Sequence, residues 1–146
     1  MDVTMDQRSG TPLHVWIVGV MSLLWNSFGA YDYLMSNLTP ETYFKSAGLS
    51  EASVAYMKAF PAWLTAMWAL GVWGSVAGSV FLLLRSRHAV TAFALSLFGL
   101  AVSQGYQALV LRPPEAAPLG MVIAIWGGLI AFLVYSWAMA RRGVLR

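Results

Sequence analysis

Cysteine is absent from this chain, and charged side chains are scarce. Without cysteine the chain can form neither a disulfide nor a thiolate-ligated metal site. Only 10% of the 146 residues are Asp, Glu, Lys or Arg, whereas soluble domains carry about 25%. Because 59% of the chain is hydrophobic, too few polar residues remain to cover a water-exposed surface. The composition therefore excludes a soluble globular domain and indicates a membrane protein.

The uncharged residues are concentrated in four long apolar runs. Each has about 22 residues, which at about 1.5 Å per residue crosses a hydrocarbon core of about 30 Å. Membrane-spanning β-strands need only about 10 residues, and the apolar part of a signal peptide only about 7–15. We therefore predict an all-α membrane protein, a single four-transmembrane-helix bundle over residues 1–146. The predicted spans are 14–35, 62–84, 89–111 and 119–140.

Basic residues are distributed unequally between the two sides of such a bundle. Six lie on the side of the termini, and three lie on the other side among three glutamates. The six are Arg8, Arg85, Arg87, Arg141, Arg142 and Arg146, and the three are Lys45, Lys58 and Arg112. Since positively charged loops stay in the cytoplasm, we predict a bacterial inner-membrane protein with both termini cytoplasmic. The net charge is only +3, and the basic residues flank the membrane spans. We therefore expect the lipid bilayer as a partner and no nucleic acid.

The connection between the first two predicted spans contains two sets of helix signals. A Thr-Pro-Glu start at Thr39 predicts a short helix over 40–47 that stops at Gly48. Ser50 then predicts a second short helix over 51–59. Aromatic residues in both segments suit the headgroup level of a membrane. We predict a helical cap on the periplasmic face, and a packed cap is favoured over a ligand-binding lid.

Polar residues interrupt the first and third predicted spans. The cluster comprises Asn26, Asp32, Tyr33, Tyr106, Gln107 and Arg112. Polar groups in a membrane are costly and usually bond to one another within the bundle. We therefore expect Asp32 to pair with Arg112 or Lys58, and Asn26 to bond across to the Tyr and Gln side chains of the third span. The alternative is a binding site for a proton or a small polar, sugar-like solute.

Glycines give the clearest packing signal. Gly71, Gly74 and Gly78 recur at helical spacing in the second span, and the last two form a GxxxG pair. Small residues on one stripe let helix backbones approach closely. The partner could be another span of the bundle or a second protein, and packing within the bundle is favoured.

No arrangement of residues for catalysis or metal binding stands out. The sequence shows no nucleophile–base pair, no carboxylate pair, no phosphate-binding loop and no His/Glu metal spacing. His14 and His88, at the same predicted end of the bundle, could in principle hold a haem, but membrane haem ligands usually lie deeper. We therefore expect no enzyme activity, no catalytic residue, no metal and no cofactor.

Three segments resemble a group of small four-span inner-membrane proteins of Gram-negative bacteria, some of them labelled as sugar transporters. The segments read "HVWIVGVMSLLWNSFGAYDYLM", "AFPAWLTAMWALGVWGSVAGSVFLLLRSRHAVTAFALSLFGL" and "VSQGYQ". The resemblance covers most of the chain between residues 14 and 107. It implies the same membrane fold and a leaning towards solute transport, and it carries no catalytic or binding residues.

Two functions remain open from the sequence. The first is a non-catalytic accessory or assembly subunit that docks laterally on other membrane-protein subunits, as the tryptophans and the glycine stripe indicate. The second is a transporter of a small polar solute, oligomeric because four helices barely enclose a pathway, as the polar cluster indicates. The accessory role is favoured.

Overall fold

The computed structural model of the protein describes residues 10–146, which form helices and connecting loops without any strand. Four of the six α-helices in this part are long and apolar enough to cross a membrane. The six helices are α1 Leu13–Leu38, α2 Pro40–Ser46, α3 Glu51–Lys58, α4 Ala62–Leu83, α5 His88–Tyr106, extended by a π-helical turn Gln107–Leu111, and α6 Leu119–Arg141. The four candidate spans are α1, α4, α5 with its π-helical turn, and α6. The predicted all-α fold with four spans is confirmed. Arg8, which contributed to the predicted orientation, lies outside the described residues.

The first span is longer than predicted. The sequence placed its end at residue 35, whereas α1 continues to Leu38. The amide of Asn37 donates a hydrogen bond to the Tyr33 carbonyl one turn earlier, at 2.8 Å, so this polar residue continues the helix. The helix stops at Thr39 because the residue before a proline is disfavoured in helical geometry.

The predicted helical cap, α2 and α3, forms close to its expected bounds. The Ser50 hydroxyl accepts a hydrogen bond from the Ser53 N–H at 3.2 Å and caps α3. Gly48 ends the preceding turn with φ of 75°, a conformation that glycine adopts without strain. Thr39 occupies the N-cap position of α2, but its hydroxyl bonds back to the Met35 carbonyl instead of capping that helix.

The four spans alternate in direction, and α4 is central. It packs against α1 on one side and α5 on the other, and α5 packs against α6. Phe93 of α5 stacks on Phe132 of α6 with ring centroids 6.0 Å apart. The buried core cluster comprises Val15, Leu82, Ala89, Phe93, Leu129, Met139 and Leu145.

The two ends of the bundle differ in charge. The basic end carries the turn between α4 and α5 and the end of α6, and the cap end carries α2, α3 and the connection from α5 to α6. The described acidic residues, Asp32, Glu41, Glu51 and Glu115, all lie at the cap end. Five described arginines lie at the basic end, namely Arg85, Arg87, Arg141, Arg142 and Arg146.

The glycine stripe lies at the interface between α4 and α5. A Cβ on Gly74 would sit 3.1 Å from the Ser96 backbone, and one on Gly78 would sit 2.7 Å from the ring of Phe93. The Ser96 hydroxyl donates a hydrogen bond across the interface to the Gly71 carbonyl. The stripe therefore serves packing within the bundle, and this face of α4 is not available to another protein.

The third span contains two features that the sequence analysis did not identify. Gly99 of α5 faces α4 so closely that a Cβ would lie 2.6 Å from the Gly71 nitrogen and the Met67 carbonyl oxygen. At the cap end the helix widens into the π-helical turn, and the N–H of Arg112 donates to the Gln107 carbonyl at 2.7 Å. Arg112 itself has φ of 51°, so the chain turns sharply away after the span.

The C-terminal tail folds back on the turn between α4 and α5. Gly143, with φ of 73°, ends α6, and Leu145 is buried in the core. The N–H of Arg146 donates to the Arg85 carbonyl at 2.7 Å, and its own carbonyl accepts from the Arg87 N–H at 2.9 Å. The tail thereby closes the basic end of the bundle.

Candidate functional site

Asn26 links α1 to α4. Its side-chain amide donates to the Ser79 hydroxyl at 2.9 Å and to the Ser75 carbonyl at 3.2 Å. The Ser79 hydroxyl in turn donates to the same carbonyl at 2.9 Å. Each member of this small network therefore has a partner, and the network joins two helices inside the bundle.

The predicted bond from Asn26 to the third span is wrong. Ser96 of α5 lies beside Gly74, close in depth to the serines that Asn26 contacts. Gln107 lies about 16 Å further along the helix at about 1.5 Å per residue. The Tyr106 and Gln107 side chains are thus far from Asn26 in depth, and serines of the neighbouring α4 take their place.

Asp32 contacts the helical cap. Its carboxylate accepts a hydrogen bond from the Tyr43 hydroxyl at 2.6 Å, which joins α1 to α2. That bond, together with burial and the carboxylate charge, raises the pKa of Tyr43 to about 12. The expected pairing of Asp32 with Lys58 is wrong, because Lys58 instead pairs with Glu41 across α2 and α3. The hydrogen bond from Lys58 holds the pKa of the Glu41 carboxyl below its usual value.

The polar residues of the third span also have separate neighbours. The Gln107 side-chain oxygen lies 3.4 Å from the Tyr56 hydroxyl of α3. The Tyr106 ring meets Trp63 of α4 edge-on, with centroids 4.6 Å apart. Gln104 accepts a hydrogen bond from the Trp126 indole of α6 at 2.7 Å. These contacts attach the cap and the fourth span to the third.

The six residues of the predicted cluster therefore distribute over several contacts. Tyr33 lies edge-on to Trp68 and Trp73, with centroids 5.0 Å and 6.4 Å away. Arg112 is exposed at the end of the π-helical turn. It does not form the expected pair with Asp32, whose carboxylate bonds to the Tyr43 hydroxyl instead. Apart from Arg112, each residue of the cluster contacts a side chain or backbone group of α2, α3 or α4, and this pattern is typical of a structural network.

Buried serines are the polar feature that the sequence analysis missed. Within the spans the fully or nearly buried ones are Ser22, Ser36, Ser75, Ser79, Ser96, Ser103 and Ser136. Most bond to a carbonyl of their own helix, as Ser22 does to Gly19 at 2.9 Å. The available signal was their helical spacing, because Ser75 and Ser79 are one turn apart beside the glycines.

The two histidines contact different side chains. The His14 ring bonds to the Tyr135 hydroxyl between α1 and α6. The His88 ring packs on Phe81 with centroids 5.7 Å apart. Residues 10–146 contain no group of three His, Asp or Glu side chains that could hold a metal ion.

Two apolar grooves lie on the outer surface of the bundle. The α4–α5 groove runs from Leu70 to Phe81 on α4 and from His88 to Leu95 on α5, and its volume is about 430 Å³. A smaller groove of about 290 Å³ lies between α5 and α6, lined by Val90, Leu133, Val134 and Trp137. Both are open at the outer surface of the bundle and nearly free of polar surface, so neither resembles an aqueous pathway.

No family model, curated protein or solved structure matches this chain. The resemblance to small bacterial four-span proteins therefore stays a prediction. The length and composition of the four spans support a multi-pass membrane protein in contact with the lipid bilayer.

Proposed function

We propose that the protein is a non-catalytic accessory or assembly subunit that docks laterally on a larger membrane complex. The observation that carries this proposal is the exposed face of α6. Only 11% of the most apolar stretch of α6 is buried in the bundle, against 17% for the third span and 22% for α1 and α4. The fourth span is therefore the one most available to a neighbour.

Small residues line that exposed face. Gly120, Ala124, Gly127 and Ala131 recur at spacings of four, three and four, and all are exposed. A Cβ on Gly120 or Gly127 would meet nothing within 4 Å. Because a stripe of small residues lets another helix approach closely in lipid, this face suits a helix of a partner subunit. The glycines of α4 are already engaged with α5, so α6 replaces them as the docking surface.

A solute transporter is less well supported. The amide of Asn26 bonds to serines of α4, and the carboxylate of Asp32 bonds to Tyr43. Each group therefore already has a hydrogen-bond partner within the protein. The grooves on the bundle are apolar and open to lipid, which does not suit a sugar-like ligand.

The orientation belongs to the same proposal. Arginines concentrate at the basic end, and the described acidic residues lie at the cap end. In a bacterial inner membrane the basic end would face the cytoplasm, with the cap in the periplasm. A phosphatase reporter fused after Gly48 should then be active outside the cytoplasm, and one fused after Ser86 should be inactive. Activity at Ser86 alone would reverse the orientation.

The docking face is tested by a matched pair of substitutions. Gly127→Leu adds a bulky side chain to the exposed face of α6, and Gly29→Leu adds the same side chain at an open position on α1. After mild-detergent purification, Gly127→Leu should lose most of any stoichiometric partner, whereas Gly29→Leu should retain it. Equal recovery of the partner with both variants would show that α6 is not the docking surface. A chain that purifies only as a homo-oligomer would favour the transporter.

A further inference from the structure

The α4–α5 groove is apolar along its length and polar at one end. Ala77 and Ala92 line it with small side chains, and its volume is about 430 Å³. His88 and Thr91 are the polar side chains among its lining residues, and both are exposed. They lie at and near the basic end of the bundle.

The length of the groove matches one leaflet of a membrane. From Leu70 to Phe81 the groove follows α4 for about 16 Å at about 1.5 Å per residue, which is about half of a hydrocarbon core of about 30 Å. It begins at the basic end, where His88 packs on Phe81, and ends near the middle of the bilayer. The acyl chain of a lipid in one leaflet extends over this same half of the hydrocarbon core.

Basic residues adjoin the end of the groove at His88. Arg85 and Arg87 share the turn with His88, and backbone hydrogen bonds of 2.7 Å and 2.9 Å hold Arg146 of the tail beside them. The described acidic residues lie at the opposite, cap end. A cationic turn beside an apolar groove complements an anionic lipid headgroup, which membrane proteins bind in basic pockets at the interface.

We propose that this groove binds one acyl chain of an anionic phospholipid whose headgroup is held by the basic turn at Arg85–His88. The apolar walls accept the chain, and the length of the groove selects a chain that enters from one leaflet. The positive charge at the mouth selects an anionic headgroup over a zwitterionic one. The site is independent of the docking face on α6, since it lies on other helices.

Native mass spectrometry of the delipidated protein in detergent tests the proposal. The probes are dioleoyl phosphatidylglycerol and dioleoyl phosphatidylcholine, which share their chains and differ in headgroup charge. The full chain should retain one phosphatidylglycerol with at least fivefold higher affinity than phosphatidylcholine. Inorganic phosphate at the same concentration should not displace the lipid, because it lacks the acyl chain that the groove binds.

Substitutions separate the groove from its mouth. Ala77→Phe and Thr91→Phe fill the groove from opposite walls, and each should weaken phosphatidylglycerol binding at least tenfold. Arg87→Gln should weaken it about fivefold, equivalent to about 1 kcal/mol, and leave phosphatidylcholine unchanged. Arg141→Gln removes the same charge at the same end, but its guanidinium lies over Trp137 on α6 at 4.9 Å. It should bind phosphatidylglycerol as the native chain does.

Several results would overturn the site. Equal retention of the two lipids would show that the basic turn does not select the headgroup. If Ala77→Phe and Thr91→Phe both bound phosphatidylglycerol as the native chain does, with unchanged melting temperatures, the groove would not be the lipid site. Displacement of phosphatidylglycerol by a neutral isoprenoid quinone would assign the groove to that class of ligand. A lipid-free dimer that Ala77→Phe dissociates would make the groove an interface between two copies of the chain.

Discussion

At the scale of single residues, Asn26 couples α1 to α4 through two hydrogen bonds inside the membrane. Replacing it by alanine leaves Ser79 without its donor, although that hydroxyl keeps its bond to the Ser75 carbonyl. We expect Asn26→Ala to lower the free energy of unfolding by about 0.6–1.7 kcal/mol, as for other hydrogen bonds between membrane helices. Denaturant unfolding in mixed micelles measures this change.

The neighbouring Ser27 provides the control. Its hydroxyl is exposed and bonds only to the Leu23 carbonyl of its own helix, at 2.6 Å. Ser27→Ala should therefore leave stability nearly unchanged. Adding Ser79→Ala to Asn26→Ala should cost less than Ser79→Ala does in the native chain. Strictly additive effects would mean that the bond contributes nothing to stability.

The sequence indicated that Asn26 has a partner but not which one. The high cost of an unpaired amide in lipid applies to every arrangement of the helices, so a bond across an interface could be predicted. The identity of the partner depends on which helix lies beside α1, and no pattern in the chain encodes that choice. The partner of Asp32 was predicted wrongly for a similar reason. Tyr43 reaches Asp32 because α2 folds back towards α1, and the sequence does not show the direction in which α2 leaves α1.

At the scale of secondary-structure elements, the contact between α4 and α5 depends on Gly99. A Cβ at this position would lie 2.6 Å from backbone atoms of α4, which cannot move aside as a flexible side chain could. We expect Gly99→Ala to destabilise the bundle by about 1–3 kcal/mol, the usual cost of overpacking. The melting temperature in detergent should fall accordingly.

Gly105, on the same helix, is the matched control. A Cβ there would meet nothing within 4 Å, and alanine is favoured over glycine in a helix by about 1 kcal/mol. Gly105→Ala should therefore be neutral or slightly stabilising. If both substitutions had the same effect, close approach of the two backbones would not determine the stability of this interface.

Helix bounds were the most predictable part of the elements. Apolar runs end where charges, prolines and glycines begin, so most ends of the spans and short helices lie within one residue of those expected. The π-helical turn Gln107–Leu111 was not predictable, because its residues are compatible with an ordinary α-helix. Gly99 was missed because it occurs singly, without the repeated spacing that marks the glycines of α4.

At the scale of the whole molecule, the bundle has one well-packed pair of helices and one exposed span. The pair α4 and α5 is joined by small residues, whereas α6 is attached mainly to α5 and presents its own small residues outwards. The sequence predicts four spans from length and hydropathy, but the order of packing depends on side-chain contacts that hydropathy does not describe. That order is what directs the proposed docking to α6.

Photo-crosslinking in intact membranes tests the docking proposal most directly. A photoreactive amino acid in place of Ala124 lies on the exposed face of α6, and one in place of Phe28, whose side chain is 73% exposed on α1, serves as the control. We predict a discrete adduct with a different membrane protein from position 124 and none from position 28. A homodimer adduct, or lipid adducts alone, from position 124 would contradict the accessory role.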